Sequence, residues 1–144
     1  MTVSLNVTPT ICSQIEHIVL CINNFDQTIL FYEELLTALG FRIILDKIYG
    51  EQRYMSFNNG VFDIGFISPE KDYLENKFHI FQVGLSHLAL RVNSAQILEK
   101  CAEICQKSNL IIESNLDLKI HHLEEFTTLR FYCPSGLLIE IVTK

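Results

Sequence analysis

Two histidines recur in equivalent settings along the chain. His17 is the third residue of IEHIVLCIN (15–23), and His87 is the third residue of LSHLALRVN (85–93); the segments align without gaps at an offset of 70 residues. Two carboxylates are similarly out of place. Glu140 interrupts the apolar run LLIEIV (137–142), and Asp63 interrupts VFDIGFI (61–67). A carboxylate in apolar surroundings is costly to bury unless a cation or hydrogen-bond donors await it. Two neutral imidazoles with one or two carboxylates form a donor set for a divalent metal: Zn, Ni, Mn, Co or Fe(II). Taken singly, each residue has a plainer explanation. A strand histidine is more often hydrogen-bonded in a core or on a surface, Glu140 could pair with Arg91 or Arg130, and Asp63 could accept hydrogen bonds beside a hairpin. Their occurrence at matching places of a repeat is what favours metal binding by His17, His87 and Glu140, with Asp63 as a possible fourth ligand.

The elements that must position these residues follow from the same repeat. Alternation along a strand puts His17 on one face with Ile15, Val19 and Cys21, and Ile18, Leu20 and Ile22 on the other. In the second copy, His87 shares a face with Leu85, Ala89 and Arg91, opposite Leu88, Leu90 and Val92. The wholly aliphatic faces are expected to hold helices, leaving the histidines on a concave side. Helix starts follow, at Asn24 with Gln27 three residues on and at Asn93 with Gln96; Asp26 and Ser94 are alternative caps. The first helix carries Ile29, Leu30, Tyr32 or Glu33, Leu36 and Leu39 and stops at Gly40. The second carries Ile97, Leu98, Cys101, Ile104 and Cys105 and stops near Asn109. Strands are then expected at 41–46 and 110–113. Two hairpins come next, one turning at Asn58-Asn59-Gly60 and one at Pro134-Ser135-Gly136. Each half is therefore β-α-β-β-β, joined by a connector over 68–83 that has room for a short helix. The expected fold is α+β: tandem modules forming a curved mixed sheet around a concave site, within one domain over 1–144. Repeat one covers about 14–67 and repeat two about 84–143. A repeat this short cannot cover both sheet faces, so the modules must share a core within the chain or with a second chain.

This pattern resembles the vicinal oxygen chelate superfamily, which includes glyoxalase I, methylmalonyl-CoA epimerase, fosfomycin-modifying transferases, extradiol dioxygenases and bleomycin-resistance proteins. The resemblance runs over about residues 14–144 and is most specific in IEHIVLCINNFDQTILFYEELLTALGF, GLSHLALRV and FYCPSGLLIEIV. It implies a metal held by His17, His87 and Glu140 and, in a less certain register, by Asp63, where similar metal-binding members have Glu or Gln. The shorter Asp63 could miss the metal and leave a three-ligand triad. It further implies a small oxygen-rich substrate chelated through two oxygens, with Glu140 or Asp63 as general base in lyase or isomerase chemistry of the glyoxalase type. Ring-cleaving dioxygenation is the second choice. A metal-free protein that sequesters a small molecule, like bleomycin-resistance proteins, is the rival. Members commonly dimerise, so a homodimer is expected.

Composition narrows the partners. The chain has 144 residues, 49% hydrophobic and 19% charged, with a net charge of −6, which disfavours nucleic acid and anionic membranes. No apolar run approaches the roughly 20 residues of a membrane span. The first 12 residues lack the basic and apolar regions of a secretory signal. Five cysteines, with no CxxC, read as reduced and mostly buried thiols, and a cytoplasmic location is expected. Cys101 and Cys105 read as small core residues of one helix face. His79, His121 and His122 lie in polar segments and read as solvated.

Overall fold

A computed structural model describes residues 13–110, 112 and 127–143. Residues 1–12, half of the expected strand 110–113 and the segment carrying His121 and His122 lie outside the described residues. The first half runs β1 (His17–Cys21), α1 (Phe25–Ala38), β2 (Arg42–Tyr49), β3 (Gln52–Asn58) and β4 (Asp63–Ile67). A 3₁₀ turn at Lys71–Tyr73 is the short helix of the connector. The second half has β5 (His87–Arg91), α2 (Ala95–Lys107), β6 (Thr127–Tyr132) and β7 (Leu138–Thr143).

The strands form two mixed sheets of an α+β fold, one for each expected module. The first has the order β1-β4-β3-β2 and the second β5-β7-β6. In both, the histidine strand pairs parallel to the last strand of its half, while the hairpins pair antiparallel. Ile112 bridges Phe131 on the free side of β6, where a fourth strand would complete the match to the first sheet.

Helix boundaries follow local chemistry. Ser94 caps α2, its hydroxyl accepting from the Ile97 amide, so that the serine rather than Asn93 is the cap. Asn24 precedes α1 in a left-handed conformation and makes no side-chain cap; instead the Thr28 hydroxyl donates to the Asn23 carbonyl. Both helices end alike. Gly40 (φ 89°) and Asn109 (φ 54°) take the left-handed position, and the next amide reaches back into the last turn, Phe41 to Leu36 and Leu110 to Cys105.

The aliphatic strand faces do hold the helices. Leu20, Ile22, Phe57, Ile64 and Phe66 are buried with Ile29, Tyr32, Leu35 and Leu36 of α1; Leu129, Phe131, Ile139 and Ile141 are buried with Cys101, Ile104 and Cys105 of α2. Leu30, which the helical spacing included, is 65% exposed because it lies a full hundred degrees around the helix from Ile29. Cys21 is another exception to expectation, an exposed thiol on the histidine face of β1. The halves meet through their helices: the Phe31 ring of α1 stands edge-on to Phe131 of β6 at 5.9 Å, and Lys107 of α2 reaches Glu34 of α1 at 2.9 Å. Their sheets are not closed around one another among the described residues.

Candidate metal centre

Each half presents one fragment of a donor set. In the first sheet His17 lies directly opposite Asp63 across the β1–β4 pair, so both side chains leave the same face, opposite α1. Successive rungs on that face are Val19 with Gly65 and Cys21 with Ile67. Asp63 accepts a hydrogen bond from the Asn58 side-chain amide, across the β3–β4 pair. In the second sheet His87 pairs with Leu138, and Glu140 pairs with Ala89 on one side and Arg130 on the other. His87 and Glu140 are therefore diagonal neighbours on one face, a spacing that two long side chains can close.

The ring nitrogens are disposed alike in both halves. The Nδ1 of His17 pairs with the carboxylate of Glu16, and the Nδ1 of His87 lies 3.2 Å from the Ser86 hydroxyl. Glu16 and Ser86 occupy the same repeat position. A carboxylate only accepts, so the His17 Nδ1 donates, and in the neutral ring Nε2 then carries the lone pair a metal requires. Glu140 is similarly half-engaged. The Arg130 Nε donates to its Oε1 at 2.9 Å, both side chains being largely buried, and among the described residues no partner occupies Oε2. The ion pair foreseen for Glu140 thus exists, with Arg130, and it leaves one carboxylate oxygen available. Two imidazole Nε2 atoms and this oxygen suit a first-row divalent cation.

The fragments do not converge within the chain: among the described residues no three His, Cys, Asp or Glu side chains gather closely enough to hold a metal. The histidine faces remain uncovered instead, with the His17 side chain 57% exposed and Val19, Ala89 and Arg91 exposed beside the two histidines.

The pairing register also changes the correspondence between the two carboxylates. Aligning His17 with His87 places Asp63 against Leu138, and Gly65 against Glu140. The position equivalent to Glu140 in the first half is thus a glycine, and Asp63 sits one same-face rung away from it. The apolar runs around Asp63 and Glu140 look alike in sequence, and the two-residue slip becomes visible only from the strand pairing. Tyr54 was not picked out by sequence reasoning. It lies on the histidine face of β3, with its hydroxyl over Gly65: a Cβ built on that glycine would stand 2.6 Å from the oxygen. The signal was present as a tyrosine two residues before Ser56, which pairs with Gly65, but only the register connects them.

No helix among the described residues is long and apolar enough to cross a membrane. Among curated proteins none is significantly similar to the chain. Solved structures share the fold. The glyoxylase/bleomycin resistance protein/dioxygenase domain from Frankia sp. EAN1pec matches with a TM-score of 0.74 and 17% identity, over 91% of this chain and 97% of that one. The fosfomycin resistance protein FosX from Listeria monocytogenes, complexed with Mn(II) and sulfate, matches with a TM-score of 0.64 and 15% identity, over 92% and 93%. FosX from Mesorhizobium loti matches with a TM-score of 0.63 and 13% identity, over 90% of each chain. The sequence model of one family covers residues 14–141, nearly the whole chain and both repeats. The chain belongs to the Glyoxalase/Bleomycin resistance protein/Dioxygenase superfamily.

Proposed function

We propose that the protein is a divalent-metal-dependent enzyme of the glyoxalase type, a lyase or isomerase acting on a small oxygen-rich substrate. The observation that carries this reading is the paired half-sites: His17 on one sheet face, His87 with a half-free Glu140 on the other, all in apolar strands. Because the half-sites stay apart within one chain, the proposal includes a homodimer in which His17 of one copy meets His87 and Glu140 of a second. The uncovered histidine faces support that arrangement, since each needs a partner surface to exclude water.

A metal there would supply Lewis acidity toward two substrate oxygens. The protein's own residues do the rest. His17, His87 and Glu140 would hold the ion, and Arg130 fixes the Glu140 carboxylate through Oε1. Asp63, beside His17 and outside the position that matches Glu140, takes a substrate proton as general base. Its hydrogen bond from Asn58 sets the direction of the carboxylate. A second reading, ring-cleaving dioxygenation, draws on the same three-ligand set, because two histidines and one carboxylate also suit non-haem Fe(II). Turnover by chelator-stripped protein restored with Mn(II), Ni(II), Zn(II) or Fe(II) tests both. Hemithioacetals, acyl-CoA thioesters with an acidic α-proton and fosfomycin probe the first reading, and catechols with oxygen the second. Metal-restored activity on the first group is expected. Tight binding of such compounds by metal-free protein, without turnover, would instead identify a sequestering protein.

A further inference from the structure

We infer that Tyr54 is a ligand-binding residue of the site, its phenol standing in the place that a fourth protein ligand would otherwise occupy. This inference rests on the metal-site reading above. The register makes Gly65 the first-half counterpart of Glu140. A glycine in a strand interior weakens the strand, and it commonly marks a place where another group must come close. That group is Tyr54. Its Oη and Cζ would lie 2.6 and 3.1 Å from a Cβ on Gly65, with a Val19 methyl at 3.2 Å. Gly65 is not in the left-handed conformation, so space for the phenol, rather than backbone geometry, accounts for the missing side chain.

The strand register and one ring contact place the phenol at this spot. Tyr54 pairs with Ile67 in the β3–β4 ladder, so its side chain leaves the same face as Asp63 and Gly65. The Tyr49 ring meets it edge-on at a centroid distance of 6.3 Å. The tip reaches across to the Val19–Gly65 rung, the rung next to His17–Asp63. Among the described residues no protein group hydrogen-bonds the hydroxyl, which therefore has a proton to offer on the face that carries His17. A phenol O–H is a hydrogen-bond donor to an oxygen acceptor. The chemistry it fits is an oxygen of a small anionic or polarised chelating ligand, gripped by a donor where a Glu or Gln would have competed for the metal.

The test uses Co(II) as the metal and oxalate as a bidentate oxygen ligand, both followed in the visible spectrum of Co(II). Full-length wild type, Tyr54→Phe and Gly65→Ala are compared, with circular dichroism as the check on folding. Gly65→Ala keeps the phenol but pushes its flexible tip aside with the added methyl. Both variants are expected to bind Co(II) as wild type does and to bind oxalate about tenfold more weakly, the loss of one hydrogen bond to a charged group. The double variant should be no weaker than Tyr54→Phe alone. Unchanged oxalate affinity in Tyr54→Phe, or a wild-type Co(II) spectrum indifferent to oxalate, would overturn the inference while leaving the metal site standing. Failure of wild type to take up Co(II) would overturn the metal reading and this inference with it. If Tyr54→Phe lost Co(II) itself, the phenol would be a metal ligand and the inferred donor role would be wrong.

Discussion

At Glu140, one oxygen is committed to Arg130 and the other has no partner among the described residues, so the guanidinium can steady the carboxylate without occupying it fully. Removing one side of a largely buried ion pair leaves the other uncompensated. Arg130→Ala should therefore destabilise the fold by about 3 kcal/mol, read as a lower urea midpoint. Asp63 belongs to a different class. It stands beside His17, but the residue equivalent to Glu140 is Gly65. Asp63→Asn should accordingly leave metal affinity within about twofold of wild type while lowering turnover on a responsive substrate by roughly a hundredfold or more. The two histidines and Glu140 stood out in the sequence as candidates because polar residues in apolar runs are conspicuous, and because the repeat gave each histidine a twin. The relation of Asp63 to Glu140 was not legible. Two carboxylates in similar apolar strands invite alignment with each other, and a shift of two residues preserves the face and so leaves the alternation undisturbed.

The secondary-structure elements were readable where a local signal ended them. Gly40 and Asn109 stop the helices, and the two expected hairpin turns lie at Asn58-Asn59-Gly60 and Pro134-Ser135-Gly136. The capping residue of α2 was ambiguous between Asn93 and Ser94 because adjacent polar residues compete for one amide, and the serine hydroxyl reaches it. Gly40→Ala should cost about 1 kcal/mol or more, since φ of 89° is unfavourable for any residue with a Cβ. The buried face of α2 carries a pH signature. Burial pushes the Cys101 thiol up to about 11, against the opposing pull of Lys100, and burial followed by the neighbouring Cys101 pushes Cys105 up to about 12. Both values lie above the ordinary 9.0, so the folded state keeps protons that the unfolded chain releases first. Their contribution is complete below pH 9 and is lost as pH rises toward 12. Urea midpoints should fall between about pH 8 and 10.5, and the slope should flatten in Cys101→Ala/Cys105→Ala.

For the molecule as a whole, the sequence required shared burial between the halves without saying where it would occur. The structure places it at the helices and around Phe131, and leaves the histidine faces uncovered. Periodicity reveals which face of an element is apolar, but not which other apolar face covers it. Phe131→Ala, at the contact between the halves, should cost about 3–5 kcal/mol in denaturant unfolding. If the site is completed between two copies, light scattering should give twice the chain mass at micromolar concentration. A mixture of His17→Ala and His87→Ala proteins, unfolded and refolded together, should regain metal at one of the two sites in each mixed dimer. An intrachain site would regain none. The most direct test of the central claim is elemental analysis of protein purified without chelator, wild type beside His87→Ala. The account predicts about one divalent metal per wild-type chain and less than a tenth of that in the variant, with unchanged circular dichroism, because one of three protein ligands has gone. A wild-type protein that carries no metal and takes up none on titration, or a His87→Ala variant that keeps its full content, would contradict it.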